Sequence, residues 1–145
     1  MILPQTSTEE KDPSNQLCQT PTQAFERWIF EVERGQKDPS EIVNLYSSEA
    51  ILLPTLSPIM SCHPEMIRDY FIFLSTFTEL KVRVKTLVTK TYGNIAMATG
   101  FYTFAFFKEG QYETVEARFD FWYRLEGNVW KIIFHHSSKV PGQNS

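Results

Sequence analysis

From Glu79 onward the spacing of apolar residues switches from a helical repeat to strict alternation. A helix that must bury one stripe repeats its apolar residues every three to four positions, and a half-buried strand repeats them every two. Before the switch, Phe25, Trp28, Ile29 and Val32 stand at i, i+3, i+4 and i+7. Thr20 to Gln23 precede them in a capping-box pattern with Pro21 at the first helical position, and Gly35 is a fitting stop. A second start follows, with Asp38 as cap, Pro39 and Glu41, and it predicts a short helix through Ile42, Val43, Leu45 and Tyr46 to about Ser47. Ala50 to Leu53 reads as a brief strand cut by Pro54, and Pro58 makes the next stretch a loop or edge. Pro64 and Glu65 open a third helix, with Ile67, Tyr70, Phe71 and Leu74 on one face.

After the switch, Val82, Val84 and Thr86 alternate with Lys81, Arg83 and Lys85. Turn signals at Tyr92-Gly93-Asn94, Lys108-Glu109-Gly110 and Glu126-Gly127-Asn128 separate three further strands: Ile95–Phe107, Gln111–Leu125 and Val129–Ser138. Three helices followed by a run of hairpin-joined strands predict an α+β fold with an antiparallel meander, not a parallel α/β sheet. The domain is expected over residues 20–141. The polar stretch 1–19 is read as a flexible N-terminal tail and 142–145 as a C-terminal one.

Twelve Phe, six Tyr and three Trp make this a wide core or a sticky face. Alternation sorts them. One set of residues holds Tyr102, Phe104, Phe106, Phe119, Phe121 and Tyr123, and the opposite set holds Thr103, Arg118, Asp120, Trp122 and Arg124. On the last strand Trp130, Ile132, Phe134 and His136 oppose Lys131, Ile133, His135 and Ser137. Two arrangements fit. Either the aromatic face is the core and the mixed face meets water, or the helices cover the mixed face and leave the aromatic one for another subunit.

A formal net charge of -3 with no basic stripe argues against nucleic-acid binding. Two cysteines are too few for a disulfide framework. No apolar run has membrane-spanning length and Met1 to Pro4 lack a basic n-region, so a cytoplasmic protein without membrane partners is expected. No phosphate loop, nucleophile elbow or metal-ligand spacing is present, and neither metal nor cofactor is expected.

The order of elements, and above all the stretch Glu116–Ser138 with its Trp130 to Ser138 segment, resembles the NTF2-like superfamily. Within it, the likeness is to the association domain of calcium/calmodulin-dependent protein kinase II and to its stand-alone bacterial, SnoaL-like relatives. Leu53–Ser57 and Ile67–Phe71 carry it further, and it covers roughly residues 20–141. The resemblance implies a curved sheet wrapped round the first helix, a conical pocket between them, and pairing of subunits into a homodimer or higher oligomer through the outer sheet face. It turns the aromatic stripe of Tyr102, Phe104, Phe106, Phe119, Phe121, Tyr123 and Phe134, with His136, into the expected interface.

The kinase hubs bind small carboxylates through arginines and a histidine, and at those positions this chain has Ile67, Thr103, Asp120 and Ser137. Arg118 is the substitute anion-binding candidate, unless it and Asp120 only neutralise each other. His135, oriented by Asp120, is the candidate general base for a lyase or isomerase acting on a small polar substrate. A core histidine without chemistry is the alternative. Tyr46, Trp28 and Tyr70 are expected on the wall of the pocket, with Thr103 and Ser137, around a small polar or anionic ligand.

Overall fold

A computed structural model describes residues 18–35 and 37–142 of the 145-residue chain, so nearly all of the expected N-terminal tail lies outside the described residues. Helix α1 (Pro21–Arg34) begins where Thr20 Oγ1 accepts the Gln23 amide and ends at Gly35 in the left-handed conformation. Helix α2 (Ser40–Val43) is a single turn, opened by Asp38, whose carboxylate accepts the Ser40 amide and hydroxyl. Strand β1 (Tyr46–Leu53) then starts four residues earlier than expected, and the second helix stops short of Ser47. The reason is pairing: the Ile132 amide donates to the Leu45 carbonyl, and β1 runs parallel to the last strand. Helix α3 (Pro64–Leu74) follows, with Ile67, Tyr70, Phe71 and Leu74 buried as their spacing predicts.

Four long strands complete the chain: β2 (Thr78–Tyr92), β3 (Ile95–Lys108), β4 (Gln111–Glu126) and β5 (Val129–Lys139). The sheet order is β1-β5-β4-β3-β2, a four-stranded antiparallel meander made mixed by the parallel β1. The chain thus has the α+β, NTF2-like cone architecture, with the helices against a curved sheet. Bulges bend it. One lies between Val84 and Thr86 of β2, and another at Ile133 of β5, opposite Trp122 and Tyr123 of β4. The β2 bulge ends the alternation that Val82, Val84 and Thr86 suggest, because Val82 and Val84 pair with inward Phe104 and Tyr102 but Thr86 pairs with Phe101 of the outer face.

The aromatic face is the core. Phe25 of α1 stacks on Phe119 at 5.2 Å and meets Phe121 edge-on, and Trp28 packs on Phe121 and Tyr102. Tyr102, Phe104, Phe106, Phe119, Phe121 and Tyr123 are all at most 3% exposed within one chain, so the expectation that they form a subunit interface does not hold. Covering the mixed face instead would have placed Arg118, Asp120 and Arg124 under the helices without water or ion partners, an arrangement costing several kcal/mol per charge. Cys18, which the sequence reading leaves in the tail, is also buried, and its carbonyl accepts the Trp130 amide. Both Cys18 and Cys62 are free thiols. Among the described residues no helix is long and apolar enough to cross a membrane.

Candidate functional site

The bulge in β5 decides which side chains share a site. Tyr123 pairs with Ile132 but Trp122 pairs with Phe134, so Ile133 is extra and the alternation slips by one. Trp130 and Ile132 point inward before the slip, His135 and Ser137 after it. Phe134 and His136 therefore turn to the outer face with Trp122 and Asp120, opposite which they lie. His135 points into the core as expected, but Asp120 does not follow it. It pairs with His136 and Thr99 on the outer face, where Arg118 is exposed. No ion pair between Arg118 and Asp120 is formed. The expected catalytic pair of His135 and Asp120 is thus split by the thickness of the sheet, and Arg118 and Thr103 lie on the far side from Ser137 and His135.

Inside the cone, Trp28, Tyr46, Tyr70, Ser137 and His135 do come together, joined by Tyr102. Trp28 Nε1 donates to Tyr46 Oη at 3.0 Å, and Tyr46 Oη lies 2.9 Å from His135 Nδ1. Beyond the imidazole, His135 Nε2 lies 3.5 Å from Tyr102 Oη, which donates to Ser137 Oγ at 3.0 Å, and Ser137 closes on Thr55 Oγ1 by a short hydrogen bond. An indole can only donate. Tyr46 can then donate to Nδ1, and in that tautomer the neutral imidazole's proton sits on Nε2, facing Tyr102.

Burial, with a smaller push from His136, lowers His135 to a pKa of about 3. Phe121 stacks on the ring at 3.9 Å and Trp28 meets it edge-on. Burial likewise raises the phenols of Tyr46, Tyr70, Tyr102 and Tyr123 far above their ordinary value. All of these groups are neutral at physiological pH. A neutral imidazole between two phenols, enclosed by aromatic rings, ties α1, β1, β3 and β5 together in the core.

Open space lies at the mouth. The segment 54–60 is tied at its base by paired backbone hydrogen bonds between Leu52 and Ser61, and it arches past α3. Between them runs a groove of ≈ 440 Å³ lined by Leu56, Pro58, Ile59, Met66, Tyr70 and Phe73, with Asp69 at its edge. On the other side of the same segment, Thr55 and Ser137 border a shallower hollow with His136 and Lys139. Of the expected wall residues, Tyr70 lines the groove and Ser137 the hollow, Tyr46 is buried but borders a further hollow with Asn44, Ser47 and Lys131, and Trp28 is core. Leu56, Ile59 and Met66 were not singled out from sequence. For Leu56 and Ile59 the signal was apolar residues set between Pro54, Pro58 and Pro64, where a loop ordinarily carries polar ones; Met66 lies in the first turn of α3. Among the described residues no cluster of His, Cys, Asp or Glu has the geometry to hold a metal ion.

No protein-family model matches the sequence, and no curated protein matches it. Solved structures do. An NTF2-like superfamily protein from Salmonella enterica superposes with a TM-score of 0.71 over 97% of this chain and 99% of its own, at 15% identity. A candidate NTF2-like dehydratase from Streptomyces avermitilis gives 0.74 over 85% and 95%, at 14% identity. The chain's fold is that of these NTF2-like structures. Within that class it is similar to a candidate calcium/calmodulin-dependent protein kinase II association domain from Xanthomonas campestris, with 29% identity, a TM-score of 0.75, and coverage of 82% of this chain and 84% of that one.

Proposed function

We propose that this chain is a stand-alone association-type module that pairs with a second copy through the outer face of its sheet and holds a small molecule at the cone's mouth. The observation that carries the pairing is the make-up of that face. Cross-strand pairing aligns Val88, Thr99, Asp120 and His136 in one row, and Lys90, Met97, Trp122 and Phe134 in the next. Phe101 and Arg118 share the row before them. Phe101 is 44% and Val88 43% exposed, in the middle of β3 and of the edge strand β2 rather than at a loop tip. The Thr103 hydroxyl on this face is buried with no partner among the described residues. Apolar area of this kind, rimmed by charge, is characteristic of an interaction surface. Thus Phe134 and His136 stay in the proposed interface, while Phe101, Val88, Met97 and Trp122 replace the six core aromatics.

The groove of ≈ 440 Å³ supports the ligand half of this reading, since it falls within the usual range for small-molecule sites. Two free thiols suit the reducing cytoplasm, which belongs to the same proposal. The lyase or isomerase alternative loses its His135–Asp120 pair. Sedimentation equilibrium tests the pairing: the parent chain is expected to be a dimer at micromolar concentration, and Phe101→Glu to be a folded monomer. A parent that sediments as a monomer overturns the proposal.

A further inference from the structure

We infer that the groove between segment 54–60 and α3 takes a small arylalkylamine, an aromatic ring carrying one ammonium group. This rests on reading the groove as the ligand site, and it departs from the anionic ligand that the family resemblance implies. The walls are Leu56, Pro58, Ile59, Met66 and Phe73. Ile59 is 58% and Phe73 41% exposed, so their apolar surface faces water until something flat covers it. A methionine sulfur and an aromatic edge are good partners for a ring.

Of the four polar residues bordering this apolar slot, Ser57 and Ser61 are tied to the backbone of Ile59 and Met66, whereas Tyr70 and Asp69 are not engaged. Tyr70 is 9% exposed, and its hydroxyl makes no hydrogen bond among the described residues. Neighbouring Tyr46 and Tyr102 are already committed to the chain through His135. Burial keeps Tyr70 a neutral phenol, able to accept a hydrogen bond from an ammonium group or offer one to a neutral head. Asp69 is the groove's one charged lining residue and forms no ion pair among the described residues. Arg68, the cation beside it on α3, is turned away to Asp38 and Ser40. A carboxylate ligand would therefore meet a bare carboxylate, and a ligand without a ring would leave the walls wet. An ammonium group at Asp69 with a ring against Met66 and Phe73 satisfies both.

The test compares three probes of one size: phenethylamine, 2-phenylethanol and 3-phenylpropionate. Each is titrated into the full chain, and 1H–15N shifts locate the site. Phenethylamine is expected to bind with a dissociation constant on the order of 1 mM or tighter. It should bind about three- to tenfold more tightly than the alcohol, with the acid weaker than both, and should shift residues 56–60 and 66–73. Asp69→Asn, on the exposed side of α3, should abolish the preference for the amine while leaving the alcohol's affinity unchanged. Tyr70→Phe should weaken both. Equal binding of amine and alcohol, a preference for the acid, an unchanged Asp69→Asn variant, or shifts elsewhere would each overturn the inference. If none of the three binds up to about 10 mM while the chain still sediments as a dimer, the ligand inference falls and the pairing proposal stands. An amine-binding monomer gives the reverse.

Discussion

His135 shows how the packing around a buried histidine can hold it neutral. Its imidazole has a hydrogen-bond neighbour on each nitrogen and a ring against its face, and it stays neutral because charging it would strand a cation among Phe121, Trp28 and two phenols. The pH consequence has a definite sign. Unfolded, the ring takes a proton near its ordinary pKa of 6.5; folded, it does so only near 3. Its contribution is therefore fully present above about pH 6.5 and is lost as pH falls towards 3, at about 1.4 kcal/mol per pH unit for one proton. Urea midpoints measured between pH 7 and pH 4 should fall accordingly. A His135→Asn variant, less stable at pH 7 by about 1–3 kcal/mol for its lost packing and hydrogen bonds, should show a flatter dependence over the same range. Equal slopes in the two proteins would remove His135 as the source.

Among elements, β3 owes its close fit to small residues. Ala96 and Ala98 are fully buried, and Gly100 follows on the same inward face. At Gly100 the bulge in β2 brings the neighbouring backbone so near that a Cβ would stand 1.8 Å from the Thr86 carbonyl oxygen. Gly100→Ala should therefore cost about 2 kcal/mol or more, read as a lower denaturation midpoint, because backbone and not a flexible side chain must yield. The neighbouring Ala98→Gly change leaves that contact untouched and serves as the comparison.

This site also marks the limit of what alternation can tell. Helix starts at Thr20 and Pro64, the stop at Gly35 and all three hairpin turns were legible, because capping and turn chemistry are local. The bulges were not, because an extra residue is defined only against its partner strand. The slip at Ile133 is what put His135 and Asp120 on opposite faces, and it set His135 and Ser137 on the side of Trp130 and Ile132, which strict alternation had placed opposite them. The same limit applies to the aromatic stripe. Alternation grouped Phe119, Phe121 and Tyr123 correctly, and only the packing of Phe25 and Trp28 against them decides that their face is the inside.

For the whole molecule, the decisive question is whether the outer face meets a copy of itself. A twofold axis makes any such contact self-complementary, so each residue pairs with a position on the same patch. Arg118 and Asp120 stand two apart on β4, pointing to the same side. Were the proposed twofold axis to cross two β4 strands antiparallel, Arg118 of one copy would fall against Asp120 of the other, and the symmetry would repeat the pair. Arg118→Asp would then confront like charges twice, and the dimer dissociation constant should rise on the order of 10- to 100-fold. The double exchange, Arg118→Asp with Asp120→Arg, restores both pairs and should recover the parent constant to within about threefold. Screening predicts that the single variant's loss shrinks when salt is raised from 0.05 to 1 M, where the Debye length falls to about 3 Å. Sedimentation of all three proteins at both salt concentrations separates the outcomes. A double variant as weak as the single one would mean that these two residues do not meet across the axis. A single variant that dimerises like the parent would move the interface off this face altogether.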